Sequence, residues 1–350
     1  VDAIACERQF IDHAAPVWRL LPPRHRGRFL TDASLVEHAR GRGIEAEAID
    51  TGALRRSSLP PTANPGPGPA AFVVSIGDTK VARRLGYRRF AFMEHGAGQA
   101  YIGDRDAVAQ RHPSYAGGVD REDVELFLVP NQYSAGLWRR AYPEARVDVV
   151  GSPKLEDLYQ LVAERVESDR PVVAISFHWP AFTCEEAGSA LGHYLKMLPA
   201  LVAAYQVIGH AHPKGDWPAR VARHYRRAGI PFVEDFADVV RQADVYVCDN
   251  SSTIFEFAAT GRPVVVLNKP EYRRDVSHGG RFWDWATVGI QVDQPDALVP
   301  AIARALEDPP AIRAERERVL ELVYPVRHGA GERAAAAIAD WLTQPATVAA

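Results

Sequence analysis

Three short segments concentrate the side chains that can do chemistry. The densest is Asp249-Asn250-Ser251-Ser252-Thr253, between the apolar run Val245–Cys248 and a stretch that ends at Gly261. Alternation of strand and helix makes this a strand-to-helix turn. Hydroxyls and free backbone N–H groups at a helix start suit a phosphate. Asn and Ser are also favoured N-caps. A cap uses one side chain, however, and five polar residues stand here in succession, so phosphate binding is the expectation. The second segment is His210-Ala-His212-Pro-Lys214, directly after the apolar Gln206–Gly209. His212 and Lys214 suit neutralisation of a diphosphate, or of charge developing on its leaving group. His210 and His212 also read as half a metal site, but no Cys or carboxylate completes a ligand spacing. A polar loop is the equal alternative. The third is Glu94-His95-Gly96-Ala97-Gly98-Gln99, at the end of Arg89–Met93. Gly96 and Gly98 permit close approach of a substrate to the backbone. His95 suits a general base for an acceptor hydroxyl, with Glu94 orienting it or sharing the role. Taken alone, a loop histidine bonded to backbone is the favoured reading.

The elements that must position these residues follow from the apolar pattern. Strands are predicted at Ala71–Ile76, Arg89–Met93, Leu126–Pro130 and Val147–Val150, with helices after the first and after an Asn131 cap. The alternation restarts with strands at Val172–Ser176, Gln206–Gly209, Pro231–Val233, Val245–Cys248 and Pro263–Leu267. Helices are predicted at Glu185–Ala204, Pro218–Ala228, Ala237–Gln242 and Thr253–Thr260. Alternating elements imply parallel, doubly wound sheets. The expected architecture is therefore α/β, two Rossmann-like domains facing a cleft. Residues 1–150 form an N-terminal acceptor domain and 151–330 a nucleotide-donor domain. The helix in 331–350 packs back on the first, with a break near Pro325 and Gly329. Ligands of such sheets bind beyond the carboxyl ends of the strands, where all three segments fall. Leu59–Pro69 is too rich in Pro and Gly for helix or central strand and reads as a surface loop.

Weaker candidates accompany these. Trp179, with His178, can stack on a base or sugar, or simply pack. Gly77-Asp78-Thr79 is a turn that need only cap. Arg281-Phe-Trp-Asp-Trp285 walls a cleft or forms an aromatic core. Arg333 lies at a polar helix entry. The run Arg223–Arg227 reads as a solvated helix face. GxGxxG and phosphate-loop patterns are absent.

Composition bounds the class. The 350 residues are 47% hydrophobic and 24% charged, with 41 basic and 44 acidic side chains and a net charge of −3. This describes a globular protein with no broad field for nucleic acid. Three dispersed cysteines form no disulfide framework, so a cytoplasmic location is expected. No apolar run approaches the ~18 residues of a membrane span. Peripheral attachment stays open, because acceptors can sit on lipid.

Together the segments resemble the CDP-glycerol glycerophosphotransferases, the teichoic-acid polymerases and primases of the GT-B superfamily. Glu94-His95-Gly96 resembles that family's Trp-His-Gly, whose histidine is the proposed base. Gly151-Ser-Pro-Lys154 is similar to its Gly-x-Pro-Arg, and His212-Pro213 to the His-Pro that contacts the donor diphosphate. Asp249-Asn-Ser-Ser252, Phe255-Glu256-Phe257 and Gly261-Arg-Pro263 are close to its Asp-Tyr-Ser-Ser, Phe-Asp-Phe and Gly-Lys-Pro. Trp179 falls in its Pro-Thr-Trp, and Gly331-Glu-Arg333 resembles its Ser-Glu-Arg. The resemblance implies transfer of glycerophosphate or a glycosyl group from a nucleotide-activated donor to a hydroxyl acceptor. His95, Glu94 and His212 would be catalytic. His212, Lys214, Asp249 to Thr253, Glu256, Trp179 and Arg333 would bind donor, and Gly96, Gly98 and Gln99 acceptor. The resemblance also implies no catalytic metal and no tightly bound cofactor. The acceptor would be a polyol, glycan or lipid-linked hydroxyl. Glu94 stands where the family has Trp, Ala97 where it has Thr or Ser, and Pro180 where it has Arg. These departures leave the transferred group and the acceptor open. A nucleotide-sugar 2-epimerase, a glycosyltransferase of modified DNA bases and a non-catalytic nucleotide-sugar-binding protein are the rival readings.

Overall fold

The computed structural model describes residues 1–56, 68–97, 121, 123–165, 168–180, 188–272 and 285–344. Among these, residues 1–97, 121–157 and 324–344 make one compact unit and residues 158–323 a second. The Leu59–Pro69 loop falls almost wholly outside the described residues, as do Gly98, Gln99 and residues 281–284.

The first unit carries a seven-stranded sheet of order β3-β2-β1-β4-β5-β6-β7, all parallel. Its strands are β1 (Asp2–Ile4), β2 (Phe29–Asp32), β3 (Glu47–Ile49), β4 (Ala70–Val73), β5 (Arg89–Met93), β6 (Val124–Val129) and β7 (Arg146–Val149). Side chains alternate between faces, as the strand period of two requires. Ala3, Phe72, Ala91 and Leu126 pack on one face with Phe10, Ile11, Ala14 and Trp18 of the helix Arg8–Leu20, and with Ala334, Ile338 and Trp341 of Ala330–Thr343. Ile4, Val73, Phe92 and Phe127 take the other face, under Val81 of helix Ile76–Arg84 and Trp138 of helix Gln132–Ala141. Trp138 stacks on Phe127 at 4.5 Å between centroids.

The second unit carries β8 (Val172–Phe177), β9 (Gln206–Ala211), β10 (Val245–Cys248), β11 (Val264–Leu267) and β12 (Ile290–Val292), parallel in the order β12-β11-β10-β8-β9. Every residue of β8, β10 and β11 is buried, which explains their continuous apolar runs. Gly209 of β9 lies under Tyr225, whose ring atoms would stand 2.3 Å from an added Cβ. The Tyr225 hydroxyl donates to the Ile175 and His210 carbonyls at 2.8 and 3.0 Å. Gly209→Ala would force this ring out, at a cost of about 2–3 kcal/mol; urea unfolding checks it.

Three expected elements differ. The predicted helix Glu185–Ala204 is two short helices, Leu191–Tyr194 and Leu198–Ala204, separated by a 3₁₀ turn. Pro199 lacks an N–H and so belongs in the first turn of a new helix. The predicted strand Pro231–Val233 is reduced to an isolated bridge between Gly209 and Phe232. Just past residue 150, where the first domain was expected to end, stands the unpredicted helix Lys154–Ala163. Among the described residues, no helix is long and apolar enough to cross a membrane.

Candidate functional site

In the second unit the chain runs from β8 outward to β9, then crosses back to β10 on the other side of β8. The reversal point lies between β8 and β10, where an open α/β sheet leaves a crevice. Asp249 follows β10 at this point and is fully buried. Its carboxylate accepts from the His178 backbone N–H at 2.7 Å and the Ala190 N–H at 2.8 Å. Burial pushes its carboxyl up to about 6, against the lowering effect of those bonds. Asp249 thus ties the loop after β8 to the end of β10.

The polar run behind it is locally organised. Asn250 donates to the Gly188 carbonyl at 3.2 Å. The Ser251 hydroxyl lies 2.8 Å from the Thr253 hydroxyl, which in turn lies 2.9 Å from that of Tyr246. Ser252 precedes the helix Thr253–Ala258, and its side chain makes no cap bond. The N–H groups of Ile254, Phe255 and Glu256 already bond to the Ser251 and Ser252 carbonyls. The hydroxyls, rather than the N–H groups of that turn, therefore form the polar lip of the site. Glu256 is buried in the same helix.

His212 comes in from β9. Its ring meets that of His178 edge-on at 4.8 Å between centroids, and Trp179 lies 6.4 Å away. His178 Nδ1 is 2.9 Å from the Trp179 carbonyl. His210 turns inward, with Nδ1 at 2.9 Å from the Ser176 hydroxyl. His210 and His212 point to different surroundings and do not act as a pair. Lys214 follows on the same loop, its N–H bonded to the His212 carbonyl at 2.8 Å. Asp249, His178, Trp179 and His212 thus gather at the carboxyl ends of β8, β9 and β10. Local pattern assigns His178 no more than stacking or packing; its place beside His212 depends on the pairing of β8 with β9.

In the first unit, His95 follows β5 and is half-buried. It packs edge-on against Phe10 at 5.0 Å and lies 5.9 Å from the His13 ring. Glu94 is buried, and its N–H bonds to the Leu128 carbonyl at 2.9 Å. Gly96 has φ of +65°, a left-handed turn that aims the chain away from the strand. Asn131 caps the next helix through Ser134 N–H and also donates to the Ala97 carbonyl at 3.2 Å. One residue thereby fixes both the cap and the histidine loop. Asp78 sits at this sheet's own reversal point between β1 and β4. It is fully buried, accepts from the Cys6 N–H at 3.0 Å, and is pushed up to about 7 by burial. The Ser75-x-x-Asp78 spacing of a capping pattern is the signal that marks it. Arg333 stands exposed on the helix Ala330–Thr343, beside a groove of about 530 Å³ lined also by Gln132, Arg139, Arg146 and Asp340. Among the described residues no group of three or more His, Cys, Asp or Glu side chains could hold a metal ion.

The model of the CDP-glycerol:poly(glycerophosphate) glycerophosphotransferases matches residues 102–339. The chain belongs to this family. The match spans the whole second unit and the site built on it. A comparison with curated protein sequences finds no match. Solved structures match over nearly the whole chain. The wall teichoic acid polymerase TagF aligns with a TM-score of 0.60 at 11% identity, covering 98% of this chain and 89% of that one. The S. aureus MnaA–UDP complex aligns at 0.64 and 14%, covering 97% and 96%. A Neisseria meningitidis UDP-GlcNAc 2-epimerase bound to UDP-GlcNAc aligns at 0.58 and 12%, covering 98% and 99%. At these identities the likeness is one of fold, and the fold of this glycerophosphotransferase family member is GT-B. It is a nucleotide-donor transferase by family.

Proposed function

We propose that this protein transfers glycerophosphate from CDP-glycerol to a hydroxyl of an acceptor, with His95 as base. The family match carries the reading. The gathering of His212, His178, Trp179 and Asp249 at the reversal point of the second unit supports it. Neighbours of this fold have been solved with UDP and with CDPG.

In the proposed reaction, a His95 ring nitrogen takes the acceptor hydroxyl proton as the oxygen attacks the glycerol-bearing phosphorus. The bond from that phosphorus to the bridging oxygen breaks, and CMP leaves. His212 and Lys214 stabilise the charge that grows on CMP. The Ser251, Ser252 and Thr253 hydroxyls bond the phosphates, Glu256 holds the ribose side and Trp179 stacks against the base. Gly96, Gly98 and Gln99 lie along the acceptor, and Arg333 adds positive charge for the donor. Asp249 is a positioning residue, since its carboxylate is spent on two backbone N–H groups.

Acceptor-dependent release of CMP from CDP-glycerol is the test. Conversion of a nucleotide sugar without acceptor would instead make the protein an epimerase. Binding of donor with no turnover would make it a sensor. In the proposed mechanism protein cations meet the diphosphate charge, so EDTA should leave the rate unchanged. A rate that collapses with EDTA and returns with Mg²⁺ would overturn that point. Ser251→Ala/Ser252→Ala should weaken donor binding by about 10- to 100-fold, from loss of hydrogen bonds to a charged group. Calorimetric titration with CDP-glycerol checks it, and an unchanged affinity would remove these hydroxyls from the site.

A further inference from the structure

The helix Trp217–Arg227 begins three residues after Lys214 and is the most basic in the second unit. It buries Trp217, Val221 and Tyr225 against the sheet. Arg220, Arg223, Arg226 and Arg227 all face solvent. At 100° per residue these four fill an arc of roughly 120° opposite the buried stripe. None of the four holds a carboxylate among the described residues. Other arginines of this unit do, among them Arg241 with Glu164 and Asp238, Arg313 with Asp308 and Arg318 with Glu315, while the exposed Arg170 and Arg304 stand singly. Four like charges at helical spacing repel one another and so weaken the helix. They stand unmatched in a chain whose net charge is −3. A merely solvated face would be served as well by mixed charges.

We propose that this arginine face is a docking strip for the body of a polyanionic acceptor, a poly(glycerophosphate) chain. The inference rests on the transferase reading above and adds a second contact surface to it. The partner follows from charge complementarity. Such a polymer carries one negative charge per phosphodiester, and the family description names it as acceptor. Guanidinium forks suit phosphate oxygens. From Arg220 to Arg227 the strip spans roughly 10 Å at 1.5 Å per residue, enough for two or three consecutive phosphodiesters. It also starts close to Lys214, on the loop proposed to meet the donor phosphates. A strip of this kind holds the product between additions and favours chain growth over release.

The test uses the full chain and a fluorescently labelled poly(glycerophosphate), with anisotropy read across a salt series. Arg220→Gln/Arg223→Gln/Arg227→Gln should weaken binding by about 10-fold or more at 0.1 M NaCl. It should also lower the slope of log K against log salt by about 2, from the loss of three phosphate contacts at about 0.7 each. The triple lysine variant should recover most of the slope, because the term is one of charge. Unchanged affinity and slope in the glutamine variant would overturn the proposal, as would absence of binding by the parent protein. Binding to phosphatidylglycerol vesicles that depends on the same arginines, with none to free polymer, would overturn it in favour of a membrane surface. Polymer binding is measured without donor. Absence of polymer binding by the parent protein, with CMP release from CDP-glycerol to a short acceptor intact, sinks only the strip, and polymer binding without any CMP release sinks only the transferase reading.

Discussion

His95→Ala is expected to lower kcat by about 10²- to 10⁴-fold, the usual contribution of a positioned general base. The donor KM should change little, since His95 has no proposed contact with the donor phosphates. The variant should fold, because His95 is half-buried and its ring packs edge-on against Phe10 at the rim of the core. The acid limb of the pH–rate profile should disappear with the imidazole. Full transfer activity in the alanine variant would move the base role elsewhere, Glu94 being the adjacent candidate. A parallel loss of activity and melting temperature would mark His95 as a packing residue.

Asp249→Ala should cost about 3–4 kcal/mol of folding stability and abolish donor binding. Two buried N–H groups, those of His178 and Ala190, would lose their acceptor, and an unsatisfied buried donor costs about 1–3 kcal/mol. Asp249→Asn separates charge from shape. Burial raises this carboxyl from 3.8 to about 6, so between those values the folded protein keeps a proton that the unfolded chain has released. The resulting stabilisation is complete below the ordinary value and is lost as pH rises through about 6. The stability of the parent protein relative to Asp249→Asn should therefore grow on acidification from pH 7 towards 4, by at most about 1.4 kcal/mol per pH unit. Urea unfolding at three pH values reads it. A difference independent of pH would show that Asp249 titrates alike in both states.

Much of the second unit was legible in the sequence, because its strands are short apolar runs closed by polar turns. Val245–Cys248 is the plainest case, since both faces are covered and nothing interrupts the run. The first 56 residues were opaque for the opposite reason. β1 and β3 have three residues each, too few to show a period. Pro16 sits inside the first helix and looks like a break. The strand ends that would carry a site were also visible, since the carboxyl-end rule needs only strand positions. Pairings across strands were not. That Asp249 reaches His178, or that His178 stands beside His212, depends on β8 lying between β9 and β10. No local pattern encodes that order.

The core of the first unit is closed by Ala334, Ile338 and Trp341 packing with Phe10, Ile11 and Trp18, residues more than 300 positions earlier. That joint has a consequence for synthesis. The described residues of the second unit, 158–323, are continuous in sequence and can fold as soon as residue 323 has left the ribosome. The first unit must wait, its opening helix exposing an apolar stripe, until some twenty further residues emerge. At the usual 5–20 residues per second, the helix Arg8–Leu20 waits through the synthesis of more than 300 residues for its partner. Its final helix acts as the last stave, and a nascent chain stalled before it would present that stripe to chaperones.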